Sequence, residues 1–262
     1  CIYVFIIIHI AIQPQLLPAE FNSLTDRLQT TEEARRRFVS DASHEMKTPL
    51  AGIKLLTDSI LQTENIDPAT TREFVSDIGA EASRLERITE DLLRLTRLDS
   101  GAVEPAVCVA VKPVLERAAR MLQPVARQRE IDLTCRADEA AAVRATEGDV
   151  HQILYNLMEN GVKYTAPGGF VHTSVSVEEG RVVITVSDNG IGIPVEDMPH
   201  IFERFYRVDK ARSRQIGGTG LGLSIVGDTV QRRGGEIGVA PREGGGTVFT
   251  VSFPQAEPEV TA

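Results

Sequence analysis

The sequence predicts a helical hairpin followed by an α/β domain, and three observations carry that prediction. From about Thr25 to Leu98 apolar residues recur at helical spacing in two runs, a loose seam and then a heptad seam, separated by a proline-containing segment. Past "RLDSGAVEP" the texture changes to short β-like runs that alternate with amphipathic helical runs. The length, 262 residues, allows two modest domains, the second, of about 150 residues, large enough for its own core.

Composition sets outer bounds. Hydrophobic residues make up 42% and charged residues 25% of the chain, as in an ordinary globular protein. The net charge of −9 gives no general electrostatic case for nucleic-acid binding. The cysteines, Cys1, Cys108 and Cys135, are too widely spaced for a zinc pattern or a disulfide framework, and a reducing compartment is the simplest reading.

The elements follow in order. "CIYVFIIIHIAI" is nearly all apolar, interrupted by His9, and is shorter than the roughly twenty residues a bilayer span needs. With Cys1 in place of a methionine, it reads as the end of a transmembrane helix in a truncated sequence; a buried or interfacial helix is the alternative. No charged n-region marks a signal peptide. Gln13 to Glu20 carries Pro14 and Pro18 and reads as an irregular connector. A charged helical pattern then runs from about Thr25, with a seam at Val39, Met46, Leu50, Ile53 and Ile60, widened by Phe38, Ala42 and Leu56. "TENIDPAT" breaks it, and Pro68 stands where a second helix can begin. That helix, from about Thr70 to Leu98, shows a heptad seam at Ile78, Leu85, Ile88, Leu92 and Leu95, broken by Glu81. One hairpin leaves an apolar seam uncovered. Two hairpins would bury it as a dimeric four-helix bundle, unless the seam packs on the second domain instead. The expected domains are 1–24, a truncated membrane-proximal segment and linker; 25–100, the hairpin; 101–254, the α/β domain; and 255–262, a disordered tail.

Within the hairpin, "SDASHEMKTPL" sets His44 beside Glu45, with Thr48 one turn further on and Pro49 next to it. Proline supplies no N–H to the carbonyl of Glu45, which predicts a bend one turn after His44. His9, His151, His172 and His200 have no comparable setting, and Met121, Met158 and Met198 form no stripe.

Four clusters mark the second domain. "NLMENGVKYT" puts Asn156, Asn160 and Lys163 on one helix face, a set that suits a magnesium–phosphate group or, read plainly, a solvated face. "SDNGIGIP" places Asp188 at a strand end before Gly190 and Gly192. An aspartate there can accept from an exocyclic amine, or simply form a turn. "IGGTGLGLSIV" feeds Gly217, Gly218, Gly220 and Gly222 into a helix, where backbone N–H groups bind phosphate. It is neither a dinucleotide fingerprint nor a P-loop. "IFERFYRVDKARSR" mixes Phe202 and Phe205 with Arg204, Arg207, Lys210, Arg212 and Arg214, the composition of a lid whose cations face phosphates.

In this order the clusters resemble the sensor histidine kinases of two-component systems, over about Thr25 to Pro254. "SDASHEMKTPL" is similar to their H box, "NLMENGVKYT" to the N box, "DNGIGIP" and "GGTGLGLSIV" to the two glycine boxes, and "IFERFYR" to the F box. The resemblance implies a dimeric phosphotransfer hairpin and an α/β sandwich of the GHKL (Bergerat) type that binds ATP under a lid. It implies Asn156 as a Mg2+ ligand and phosphate contacts from Asn160 and Lys163. Tyr164 would lie near the adenine, Asp188 would hold its amine, and Thr247 would support that site. Gly190, Gly192, Gly218, Gly220 and Gly222 would shape pocket and lid. Arg207 is the first candidate for the γ-phosphate cation and Arg204 the second. His44 would be phosphorylated, Glu45 would accept the proton of its other ring nitrogen, and Thr48 would orient a water for phosphatase activity. The partners implied are a response regulator receiver domain, a second copy of the chain and a membrane reached through the N-terminal segment, with this portion on the cytoplasmic side. Two rivals stand beside the kinase: a nucleotide-binding scaffold that signals by docking, and a GHKL-type ATPase that phosphorylates no histidine.

Overall fold

The computed structural model describes residues 16–63, 66–99, 104–209 and 218–256. The apolar run at the N-terminus lies outside them. None of the described helices is long and apolar enough to cross a membrane. The chain divides into two compact units, residues 1–82 and 83–262.

The first unit is helical. Helix α1 spans Leu16–Gln62 and continues through Pro49. The irregular connector expected before Glu20 is helix from Leu16 onward. Pro18 fits there because the first turn leaves its N–H groups without intrahelical partners, so proline forfeits nothing. Ala42 and Pro49 are buried on α1, whereas His44 and Thr48 are exposed. Of the expected seam, Val39 and Leu50 stay 57% and 59% exposed in the single chain. Helix α2 spans Pro68–Asp99. Asp67 starts it: its Oδ1 accepts from the Ala69 and Thr70 amides at 2.9 and 3.0 Å, and Pro68 takes the position where no N–H is needed. A Cβ built on Gly52 would lie 3.8 Å from Glu81 Cγ, so α1 and α2 run side by side there.

The second unit takes in the end of α2, from Ser83, and the α/β domain. Its elements are β1 (Val107–Ala110), α3 (Val111–Gln128), β2 (Asp132–Ala137), β3 (Ala142–Ala145), α4 (Glu147–Tyr164), β4 (Phe170–Glu178), β5 (Arg181–Asp188), α5 (Gly222–Arg232), β6 (Glu236–Pro241) and β7 (Thr247–Pro254). β2-β4-β5-β7-β6 form one sheet in that order, with β2 parallel to β4 and the rest antiparallel. β1 pairs with β3 in a separate two-stranded sheet. The buried rows of the strands and the buried faces of α3, α4 and α5 share one core that includes Leu115, Leu122, Leu154, Leu157, Met158, Ile184 and Val226. Gly161 lets α4 approach the sheet: a Cβ there would come within 2.9 Å of Val171. Gln255 and Ala256 donate to the carbonyls of Gly180 and Ala142 at 2.9 and 2.8 Å; the rest of the expected tail lies outside the described residues.

Candidate nucleotide site

Strand parity builds the floor of the site. Side chains two apart share a face of a strand. On β5 the buried row runs Val182, Ile184, Val186 and then Asp188. On the neighbouring β7 it begins at Thr247 and continues Phe249, Val251 and Phe253. Two apolar rows thus end in one carboxylate and one hydroxyl, side by side, where the core opens into a cleft of about 1420 Å³. Asp188 Oδ1 accepts from the amides of Gly190 at 2.8 Å and Thr247 at 3.3 Å. Among the described residues no donor reaches Oδ2. Burial pushes the Asp188 carboxyl above its ordinary pKa, opposed by the Gly190 and Thr247 N–H groups and by the charge of Arg242.

The glycines around Asp188 answer to close backbone approach. A Cβ on Gly246, at φ +100°, would sit 2.0 Å from the Asp188 carbonyl oxygen, and one on Gly190 would sit 2.5 Å from the Tyr164 carbonyl oxygen. The Tyr164 carbonyl also accepts from Ile191 N at 3.2 Å, which joins the end of α4 to the loop after β5.

Helix α4 supplies the wall. Thr146 caps it by accepting from Asp149 N at 3.1 Å. Asn156 is buried, and its Nδ2 donates to the Gly222 carbonyl at 3.0 Å. That bond fixes the amide so that Oδ1 is the atom left for the cleft. One turn on, Asn160 lines the cleft as well. Lys163 does too, and its ammonium lies 2.9 Å from Glu159.

Between β5 and α5 the chain folds back on itself. Phe205 adopts φ +64°, and its amide donates to the Gly220 carbonyl at 2.8 Å. Gly220, at φ +74°, has no room for a Cβ, which would meet the Phe205 backbone at 2.9 Å. Phe202 packs against Gly227 of α5. Lys210, Arg212 and Arg214 lie outside the described residues.

Asn156, Asn160, Lys163, Tyr164, Asp188, Gly192, Arg207, Gly218, Gly220, Gly222 and Thr247 all line this one cleft. Gly190 stands just behind, under Asp188. Arg204 turns elsewhere: it makes bonds of 2.9 and 2.7 Å to Asp99 and one of 3.1 Å to Asp228. The Asp99 carboxylate raises the Arg204 pKa, and Arg204 lowers that of Asp99. His44, Glu45 and Thr48 belong to the first unit, where the Thr48 hydroxyl donates to the His44 carbonyl at 3.2 Å.

Three groups at the cleft were not visible in the sequence: Asp91 on α2, Thr219 between the glycines, and a cluster in which Asp149 binds Arg233 at 2.7 Å and Arg94 at 3.7 Å. Only tertiary packing brings them together. Asp91 sits on a helix whose seam explained every neighbour, so nothing in its spacing marked it.

Two family models match different parts of the chain. Residues 34–101 match the His Kinase A (phospho-acceptor) domain, and residues 145–257 match the histidine kinase-, DNA gyrase B- and HSP90-like ATPase family. The chain is 36% identical over 225 residues to the sensor-like histidine kinase SenX3 of Mycolicibacterium smegmatis, covering 86% of this chain and 58% of that one. The chain therefore spans little more than half the length of this relative. Full-length ShkA, crystallised in complex with AMPPNP, is 29% identical with a TM-score of 0.62, over 82% of this chain and 44% of ShkA. The histidine kinase ThkA, solved in complex with the response regulator protein TrrA, shares the fold with a TM-score of 0.69 at 23% identity, over 93% of this chain and 67% of that one. A phospho-acceptor segment that contains His44 and an ATPase-type segment that ends its inner strand rows in Asp188 and Thr247 thus follow each other in one chain, and the chain belongs to the sensor histidine kinases of two-component systems.

Proposed function

We propose that the chain transfers the γ-phosphoryl group of ATP to His44 and passes it on to an aspartate of a response regulator. The observation that carries this reading is Asp188. One carboxylate oxygen is pinned by two backbone amides and the other faces the cleft, so the site offers an acceptor to an exocyclic amine such as that of adenine. The cleft is also ample for a nucleotide, since ligand pockets commonly enclose roughly 300–1,000 Å³.

The polar stripe of α4 fits the phosphates. Asn156 presents an amide oxygen, a hard donor that suits Mg2+, and the ion would supply neutralisation of phosphate charge when bound. Asn160 offers an amide, and Lys163 and Arg207 are among the cations that line the cleft. Phosphoryl transfer asks mainly for positioning and charge stabilisation from the protein. In the reaction an unprotonated ring nitrogen of His44 attacks the γ-phosphorus in line. The N–P bond forms as the bond to the β–γ bridging oxygen breaks, and ADP leaves. The proton on the other ring nitrogen passes to Glu45. Adjacent helix residues do not share a face, so Glu45 reaches the ring through its rotamer. Thr48, one turn from His44, orients a water against the regulator's phosphoaspartate, and its hydroxyl must leave the His44 carbonyl to donate elsewhere. Two copies pair through the hairpin.

Incubation with γ-labelled ATP tests the reading. Acid-labile label on the wild-type chain and none on His44→Gln is the expected result. Nucleotide binding without label would indicate a scaffold, and ATP hydrolysis undiminished in His44→Gln would indicate a plain ATPase. Thr48→Ala should keep autophosphorylation and slow dephosphorylation of the regulator; unchanged dephosphorylation removes Thr48 from that role.

A further inference from the structure

Two polar side chains at the cleft are held by carboxylates of the chain itself. Glu159 pairs with Lys163 at 2.9 Å, and the Thr219 hydroxyl donates to Asp91 Oδ2 at 3.0 Å. The second contact is unusual in its reach, because Asp91 comes from α2 and Thr219 from the glycine segment at the head of α5. Thr219 Oγ1 also accepts from Leu221 N at 3.2 Å, so Asp91 acts on the turn that starts α5.

The helix that carries Asp91 is held in place by other contacts. Behind it along α2, Arg94 donates to Gln152 at 2.7 Å and to the Gly148 carbonyl at 3.2 Å. Further on, Asp99 grips Arg204, and the Leu98 carbonyl accepts from Arg232. The charges facing Asp91 are of both signs. Glu90 on its own helix and Glu159 on α4 repel it, while Lys163, already engaged by Glu159, and Arg94, one turn along α2, attract it. Burial disfavours the Asp91 charge more than any of these. An anion held in such surroundings is poorly placed to tolerate a second anion beside it.

We propose that Asp91 is a charge-sensitive latch: it ties the glycine segment to α2 through Thr219, and a nucleoside polyphosphate entering the cleft displaces it and releases that tie. The inference rests on the nucleotide reading of the site and adds regulation to it. Polyphosphate and Asp91 compete for the Thr219 hydroxyl and repel one another directly, so the competition strengthens with each phosphate. Release frees the glycine segment from α2, the second helix of the hairpin.

The test is a binding series on the whole 262-residue chain, with adenosine, ADP and ATP, for wild type, Asp91→Asn and Asp91→Ala. Asp91→Asn keeps the shape and an acceptor for Thr219 while removing the charge. The expected gain is graded: adenosine affinity within twofold of wild type, ADP tighter by about threefold and ATP by about tenfold, with Asp91→Ala equal to or beyond Asp91→Asn. Thr219→Val, which cuts the tie and leaves the carboxylate, should give a smaller gain for ATP than Asp91→Asn. An unchanged ATP affinity in both Asp91 variants overturns the latch. So does an equal gain for all three ligands, which would mean general loosening. Wild-type chain that binds none of the three ligands would instead overturn the nucleotide reading beneath it.

Discussion

Asp188 acquires its chemistry from its place as the last residue of an inward-facing row. The residues before it on that row are Val182, Ile184 and Val186, so the pleat that packs the core also aims this carboxylate into the cleft. The arrangement makes Asp188→Asn a sharper change than its size suggests. The Gly190 and Thr247 amides hold Oδ1, so an asparagine would keep its carbonyl there and turn its NH2 toward the cleft, donor against donor. Adenosine affinity should fall roughly 10- to 100-fold, as expected for losing a hydrogen bond to a charged group; titration calorimetry reads it directly. Because burial raises the Asp188 pKa, the carboxylate takes up a proton at a higher pH than an exposed aspartate. Adenosine binding by the wild type should therefore weaken on acidification through that raised pKa, while Asp188→Asn shows no such step. The effect on stability has the opposite sign. A folded pKa above the unfolded one means the fold binds the proton more tightly, so this group favours the fold at low pH and that contribution is lost as the pH rises through the folded pKa. Asn156 was legible from helical spacing and Asp188 from its place at a strand end before two glycines, whereas Thr247 came only from the family resemblance. Asp91 and Thr219 are 128 positions apart, and Arg204 and Asp99 are 105 apart; their partnerships depend on packing that no local period encodes.

Elements show the same division. The α2 boundary was readable because Asp67-Pro68 is a local start signal, whereas the start of α1 was misplaced because Pro18 is a breaker only inside a helix. The turn between β6 and β7 carries the tightest backbone contact of the site. Gly246→Ala would drive a methyl group into the Asp188 carbonyl at a φ that side chains rarely adopt, and the chain should lose about 2–4 kcal/mol, read by urea denaturation. Pro49 is the corresponding feature of α1. It makes no i→i−4 hydrogen bond to the Glu45 carbonyl, although the helix continues through it. Pro49→Ala restores that bond. It should raise the melting temperature of the helical unit and shift the balance of autophosphorylation and phosphatase activity toward the latter, as a stiffer α1 presents His44 less readily. An unaltered ratio of the two activities would separate Pro49 from function.

At the scale of the molecule, three of the exposed apolar residues described on α1 form a line, while Leu55, 69% exposed, stands on the face of His44 and Thr48. Val39, Leu50 and Leu61, 57%, 59% and 77% exposed, are spaced by three helical turns. At 100° per residue, His44 and Thr48 lie roughly 140° and 180° round the helix from Val39, so covering this line leaves His44 open. Light scattering should give twice the chain mass of 28.6 kDa, and Leu50→Glu should move it toward the single mass. The length of α1 carries a mechanical corollary. A continuous helix of 47 residues is a rod of about 70 Å, and it conveys rotation as faithfully as translation. Each residue added or removed between Leu16 and Phe38 re-phases everything upstream by a hundred degrees about the rod axis, whereas a change of seven residues returns it almost to its starting azimuth. What reaches His44 through this helix is thus an angle as much as a push.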